Sequence, residues 1–275
     1  MSTNSASSWK ALFSNVLHAS HDPQEAGTKL ASFLTSSTED RTHLESVAIH
    51  LLNLAIETPA AIDTLLGVYT SMAESLPDDF EEGSWKGKNA ARKALGIQLS
   101  ECTQSLNPVL QPIFVDLLDD TCKDIPKDSN PNDVAEAVRQ MARNRRTYII
   151  ATAVYGRART VDAVMEDDPQ YDMAIYRIEN SLGLNSDSVY QVEANHVAAA
   201  LYILSCGDSL AGHWEASKRK ATIEKIIGAL RERIVTEESF KLKVLFSNAL
   251  VTLQSGGKGW TSEEMFSDKS SLWLF

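Results

Sequence analysis

Apolar residues recur at steps of three and four along nearly the whole chain, and that period limits what the chain can fold into. Trp9, Leu12, Phe13, Val16 and Leu17 share one helical face. Ala26, Leu30, Phe33 and Leu34 form the next stripe, and Leu44, Val47, Leu51 and Leu54 the one after. Ile62, Leu65, Leu66, Tyr69 and Met72 continue the pattern. It returns in Ile223, Ile226, Ile227, Leu230 and Ile234, and in Leu242, Leu245, Phe246, Leu250 and Leu253. The strict apolar–polar alternation of a half-buried strand is missing. An all-α fold is therefore predicted. Its form is an irregular multi-helix bundle or a loose stack of antiparallel helical pairs, with degenerate HEAT-like units as the alternative. No sharp repeat of fixed period favours a consensus TPR or ankyrin array.

Capping residues divide the pattern. Asp22-Pro-Gln-Glu25 reads as a helix start, with Asp22 as cap, Pro23 in the first turn and Glu25 closing a capping box. Thr38-Glu-Asp-Arg41 is a weaker start, and Pro59 opens another helix. Further helices are expected from about Ser5 to Ala19, Lys88 to Leu106, Asn107 to Cys122, Asn132 to Ala158 and Pro169 to Gly183. Others run from Ser186 or Ser188 to Ser205, from Ser209 to Val235, and from Thr236 to the Gly256-Gly257 stop. Leu76 to Gly83 mixes Pro, Gly and carboxylates and reads as an exposed loop. Lys123 to Asp133 carries two prolines among small polar residues. It divides the chain into an N-terminal half, residues 1–124, and a C-terminal half, residues 125–275, that pack as one unit. The tail Ser271-Leu-Trp-Leu-Phe275 is apolar enough to dock back on the body.

Composition narrows the partners. The 275 residues carry 26 Lys plus Arg against 37 Asp plus Glu, a formal net charge of −11. That sign argues against nucleic acid and against an anionic membrane surface as general partners. Cys102, Cys122 and Cys206 are far apart and form no CxxC, which argues for a reducing compartment and against a zinc knot. The polar start Met1 to Ser8 has no apolar run behind a basic head, and no stretch approaches the ~20 apolar residues of a membrane span. A cytoplasmic protein is expected.

The segments Ser8-Trp-Lys-Ala-Leu-Phe13, Asp22-Pro-Gln-Glu-Ala26 and Lys29-Leu-Ala-Ser-Phe-Leu34 resemble the start of a fungal all-helical family of unknown function. Ala198-Ala-Ala-Leu-Tyr-Ile-Leu-Ser-Cys-Gly207, with Trp214 after it, is similar to that family's later segment. The resemblance implies an all-α fold and transfers no catalytic residue.

Three constellations could carry chemistry. Asp116-Leu-Leu-Asp-Asp120 resembles the magnesium-binding DDxxD of isoprenoid synthases in reversed order. Its aspartates lie opposite Leu110, Ile113, Phe114, Leu117 and Leu118, so a solvated acidic face is the preferred reading. Glu166-Asp-Asp168 with Asp172 precedes or follows Pro169 and reads as charge complementing a helix start. No second metal-binding pattern accompanies either, so no metal and no cofactor is assigned. Second, Arg139, Arg143 and Arg146 share a face at steps of four and three, in a segment that also holds Arg145, Arg157 and Arg159. They are candidates for ion pairing or for binding an anion. Arg145 falls on the inward stripe of Val134, Val138, Met141, Tyr148 and Ile149, where a charge needs a partner.

Third, Glu193 and His196 fall on the inward side traced by Val189, Val192, Ala199, Ala200 and Ile203. An ExxH pair is half of a di-iron site, but its companion is missing. A hydrogen-bonded core histidine is the common explanation. The sharper one is a pocket in which Glu193 and His196 act as acid–base candidates while Arg145 and Tyr148 hold a small acidic or polar ligand. No GxSxG, Walker A or HExxH is present, and Ser255-Gly-Gly-Lys-Gly259 reads as a turn. The leading expectation is a non-catalytic helical scaffold with a protein partner. The alternatives are a small-molecule enzyme with an acid–base pocket and, last, a metal-dependent isoprenoid-type enzyme.

Overall fold

The computed structural model describes residues 8–19, 22–36, 43–105, 131–165, 179, 182, 184, 193–207 and 217–267. Among them the fold is all-α, with ten α-helices and almost no strand. The expected helix of residues 107–122, the acidic motifs at 116–120 and 166–172, the start signal at 38–41, the boundary near 125–130 and the apolar tail lie outside the described residues.

In the N-terminal part, α1 (Ser8–Ala19) packs on α2 (Pro23–Thr35), and α2 lies along α4 (Ile62–Ser75). Asp22 starts α2 as its side chain accepts the Gln24 N–H at 2.9 Å. Gly27 makes the close α2–α4 approach: a Cβ there would stand 2.5 Å from Ser71 Cβ and 2.6 Å from the Val68 carbonyl. Phe33, expected on the buried side of α2, is 37% exposed. Leu30, Ala31 and Leu34 fill the interface instead.

Helix α3 (Leu44–Glu57) is joined by a 3-10 turn, Pro59–Ala61, to α4. His43 contributes no side-chain cap to α3. The Glu82 carboxylate does so from a distance, accepting the Leu44 N–H at 3.0 and 3.2 Å. An anionic acceptor at a helix N-terminus satisfies an orphan donor and complements the dipole. Glu82 sits in a two-residue antiparallel ladder, β1 (Glu81–Glu82) with β2 (Trp85–Lys86), turned at Gly83 with φ +64°. The segment 76–83, read as an exposed loop, runs into the first strand of this hairpin, and its Leu76 and Phe80 are buried. The positive φ suits the glycine.

Helix α5 (Gly87–Ser105) and α3 both pack on α6 (Pro131–Thr160), and α4 touches it as well. Thirty residues give α6 a length of about 45 Å. It packs extensively on α7 (Glu193–Cys206). Helix α7 is central: Asn195, His196 and every residue from Val197 to Cys206 are buried. A helix covered on all sides cannot show a strong polar face. Gly156 permits the approach, since a Cβ there would lie 2.6 Å from Ser205 Cβ.

Helix α9 (Phe240–Ser255) covers α7 from another side and pairs with α8 (Ser217–Thr236). Ser239 caps α9, and Gly256 ends it in the left-handed region at φ +60°. The chain then runs under the end of α7, where Trp260 N–H donates to the Leu204 carbonyl at 2.8 Å. A helix unseen in the sequence reading follows, α10 (Ser262–Phe266), opened by a Thr261–Glu264 capping box and packed on the Pro59–Ala61 turn. Among the described residues no helix is long and apolar enough to cross a membrane.

Candidate functional site

Among the expected site residues whose side chains are described, His196 is the one that the fold buries with an unsatisfied polar atom. It is 4% exposed, and its ring meets Phe246 of α9 edge-on at 6.5 Å and 79°. Burial first, then the positive charge of Arg233 on α8, pushes its pKa down to about 4, so the imidazole is neutral near pH 7. Among the described residues its Nε2 has no hydrogen-bond partner, and neither has Oδ1 of the adjacent Asn195, which is 1% exposed. Unpaired buried polar atoms cost free energy, and two on adjacent residues mark this part of α7, as Nε2 of His50 marks α3. Glu193 opens α7, but its side chain lies outside the described residues.

Two of the other candidates are paired at the surface of α6. Arg139 and Arg143 are exposed, and both reach the same exposed carboxylate, Glu136, at 3.4 and 2.6 Å. That is the surface pairing of one helix face. Arg145 and Arg146 are half-buried and each is engaged. Partial exposure lets a guanidinium keep water, which lowers the desolvation cost anticipated for Arg145. Tyr148 is buried in the α6 core.

Sequence reading missed the polar junction between the two ends of the described chain. Arg157 Nε donates to Asp63 Oδ1 at 2.7 Å, and Arg157 Nη1 reaches the Ser205 carbonyl at 3.4 Å. The other Asp63 oxygen accepts the Ser262 N–H at 2.7 Å, while the Asp63 N–H donates to Ser262 Oγ at 3.1 Å. Ser262 Oγ in turn donates to the Ala60 carbonyl at 2.8 Å. The network joins the start of α4 to α6, α7 and α10, and its donors and acceptors are matched. Beside it Tyr155 stacks on Tyr202 at 6.0 Å, and Arg159 Nη1 donates to Tyr202 Oη at 3.3 Å. A second link ties α5 to the turn after α6, where Arg92 pairs with the Asp162 carboxylate and donates to its carbonyl at 3.0 Å.

The remaining feature is a surface. Helix α9 buries Leu242, Leu245, Phe246, Ala249, Thr252 and Leu253. Its opposite side shows Phe240, 77% exposed, with Val244 and Val251, and Val235 at the end of α8 is 80% exposed. By contrast, a cleft of about 90 Å³ between α1 and α2, lined by Leu12, Asn15, Asp22, Glu25, Ala26 and Lys29, is small beside the ~300 Å³ of a usual ligand site. Among the described residues no three His, Cys, Asp or Glu side chains stand where they could share a metal ion. No family model, no curated protein and no solved structure matches the chain.

Proposed function

We propose that this protein is a non-catalytic helical interaction protein of the cytoplasm, of the fungal helical kind that its opening segments resemble. The observation that carries the reading is the outer face of α9. Phe240 and Val251 are exposed along one helix with Val244 partly exposed between them, a surface that a partner's apolar side chains would cover. The matched donors and acceptors around Asp63 and Arg157 support it too, because they read as fastening and not as chemistry. Free thiols at Cys102 and Cys206 agree with a reducing compartment.

A small-molecule enzyme is the second reading, and one observation favours it: among the described residues, Nε2 of His196 and Oδ1 of Asn195 are buried and unpaired on one turn of α7. A ligand with a donor and an acceptor would satisfy both. A thermal-shift screen of metabolites, with and without magnesium, separates the two readings, because a ligand of the native state raises Tm. The interaction reading expects no metabolite to raise Tm through His196. A metabolite whose shift disappears in His196→Leu overturns it in favour of the enzyme.

A further inference from the structure

Resting on the interaction reading above, we propose that the outer face of α9 docks an acidic amphipathic helix of a partner protein. The partner's apolar seam lies on Phe240, Val244 and Val251, and its carboxylates meet Lys241 and Lys243.

The spacing comes first. Phe240, Val244, Ser247 and Val251 succeed one another at steps of four, three and four, the seam along which one helix receives another. The seam runs about 16 Å along the helix. Its residues point away from the side that α9 buries, so no described element uses them. Ser247 is small and only half-buried, which leaves room in mid-seam for a larger side chain from the partner. Val235, five residues before Phe240 at the end of α8, is exposed as well.

Charge decides the occupant. Lys241 and Lys243 flank the seam on its two sides, and α9 carries no carboxylate at all. Residues 217–258, which span α8 and α9, hold nine Lys or Arg against four Glu, in a chain whose net charge is −11. As a stretch of sequence it is basic within an acidic chain. Glutamates beside a partner's apolar seam would pair with the lysines and speed encounter. A second copy fits poorly, since two α9 faces brought together crowd four lysines with no acid on either helix. An anionic lipid surface would repel the rest of the molecule.

The test uses the full chain and fluorescence anisotropy. The probe is a labelled synthetic helix with leucines at four-three-four spacing and flanking glutamates; its twin carries lysines instead. The acidic probe is expected to bind with Kd on the order of 10 µM and the basic twin not at all. Phe240→Glu with Val251→Glu should weaken binding by about tenfold or more, and Lys241→Glu with Lys243→Glu should do so by about fivefold. All four side chains lie outside the core, and a circular dichroism melt checks that each variant stays folded. Ile97→Glu, on α5, should leave binding unchanged.

No binding of the acidic probe, or equal binding to the Phe240→Glu, Val251→Glu variant, overturns the proposal. So does a dimer in sedimentation that the same variant splits, which would name a second copy. Binding to phosphatidylserine vesicles without binding to the probe would name a membrane and overturn it as well. If a cross-linked partner maps to another face and binds the α9 variants undiminished, the docking face is wrong while the interaction reading stands. A metabolite acting through His196 removes that reading itself.

Discussion

Asp63 and Arg157 are 94 residues apart in sequence and meet at 2.7 Å between Oδ1 and Nε. Neither oxygen of Asp63 is idle, because Oδ2 takes the Ser262 N–H at 2.7 Å. One carboxylate thus fastens α6 and α10 to the start of α4.

Replacing one partner leaves the other without its counter-charge. The Arg157 side chain is 10% exposed and that of Asp63 29%, so water softens the penalty below that of a fully buried pair. Asp63→Asn or Arg157→Leu is expected to cost about 2 kcal/mol in urea unfolding. The double variant should cost less than the two single losses combined, with a coupling of about 1 kcal/mol. Ser262→Ala removes a shared hydroxyl and should cost about 1 kcal/mol. Additive losses at Asp63 and Arg157 would show that the contact carries no coupling.

Two glycines inside helices should answer alanine in opposite directions. Gly27 is pressed against Ser71 and the Val68 carbonyl, whereas nothing lies within 4 Å of a Cβ at Gly228. Alanine gains about 1 kcal/mol of helix propensity at either site. At Gly228 that gain stands alone, and a rise in Tm is expected. At Gly27 the overlap forces α2 and α4 apart, and a net loss of about 1–3 kcal/mol is expected. Equal effects from the two substitutions would contradict the tight α2–α4 contact.

What the sequence made legible follows the range of the interaction. Helix period, the Asp22 cap and the Gly256 stop are local signals, and each appears where its residues predict. His196 was legible as inward from its step to Ala199, Ala200 and Ile203. Asn195 was not, because one-sided amphipathicity was assumed for α7, a helix that the fold covers all round. Arg157 was visible only as one of several arginines, since nothing near it in sequence points to Asp63. Glu82 capping Leu44 across 38 residues is equally invisible before the chain folds. The Thr261–Glu264 capping box was readable, but a five-residue helix is too short to show a period.

Thiol chemistry offers a check on burial. Desolvation pushes both Cys102 and Cys206 up to about 11. At pH 8 the thiolate fraction of each is then on the order of 0.001. In a Cys122→Ser background both thiols should react with an aromatic disulfide reagent at least about 100-fold more slowly than glutathione, and at once in urea. Fast native reaction of Cys206 would contradict its seat near the Gly156 carbonyl, 3.9 Å away.

The pH dependence of stability follows from His196. Its ordinary pKa is 6.5 and its folded value about 4, so between these limits the unfolded chain binds the proton and the folded chain does not. A depressed histidine therefore leaves stability whole above pH 6.5 and erodes it as pH falls toward 4. At 1.36 kcal/mol per unit the loss across the window is about 3 kcal/mol. Burial sets most of the shift, and the charge of Arg233 on α8 adds to it. His50, held against Trp9 and Phe13, is depressed as well and adds loss of the same sign. Comparing wild type with His196→Leu cancels that second contribution. Measured as variant minus wild type, stability should fall by about 2 kcal/mol between pH 5 and 6.5 and stay constant above that. Urea midpoints from pH 4 to 8 measure it. Parallel curves for the two proteins would mean that His196 is already protonated or already open to water in the folded state.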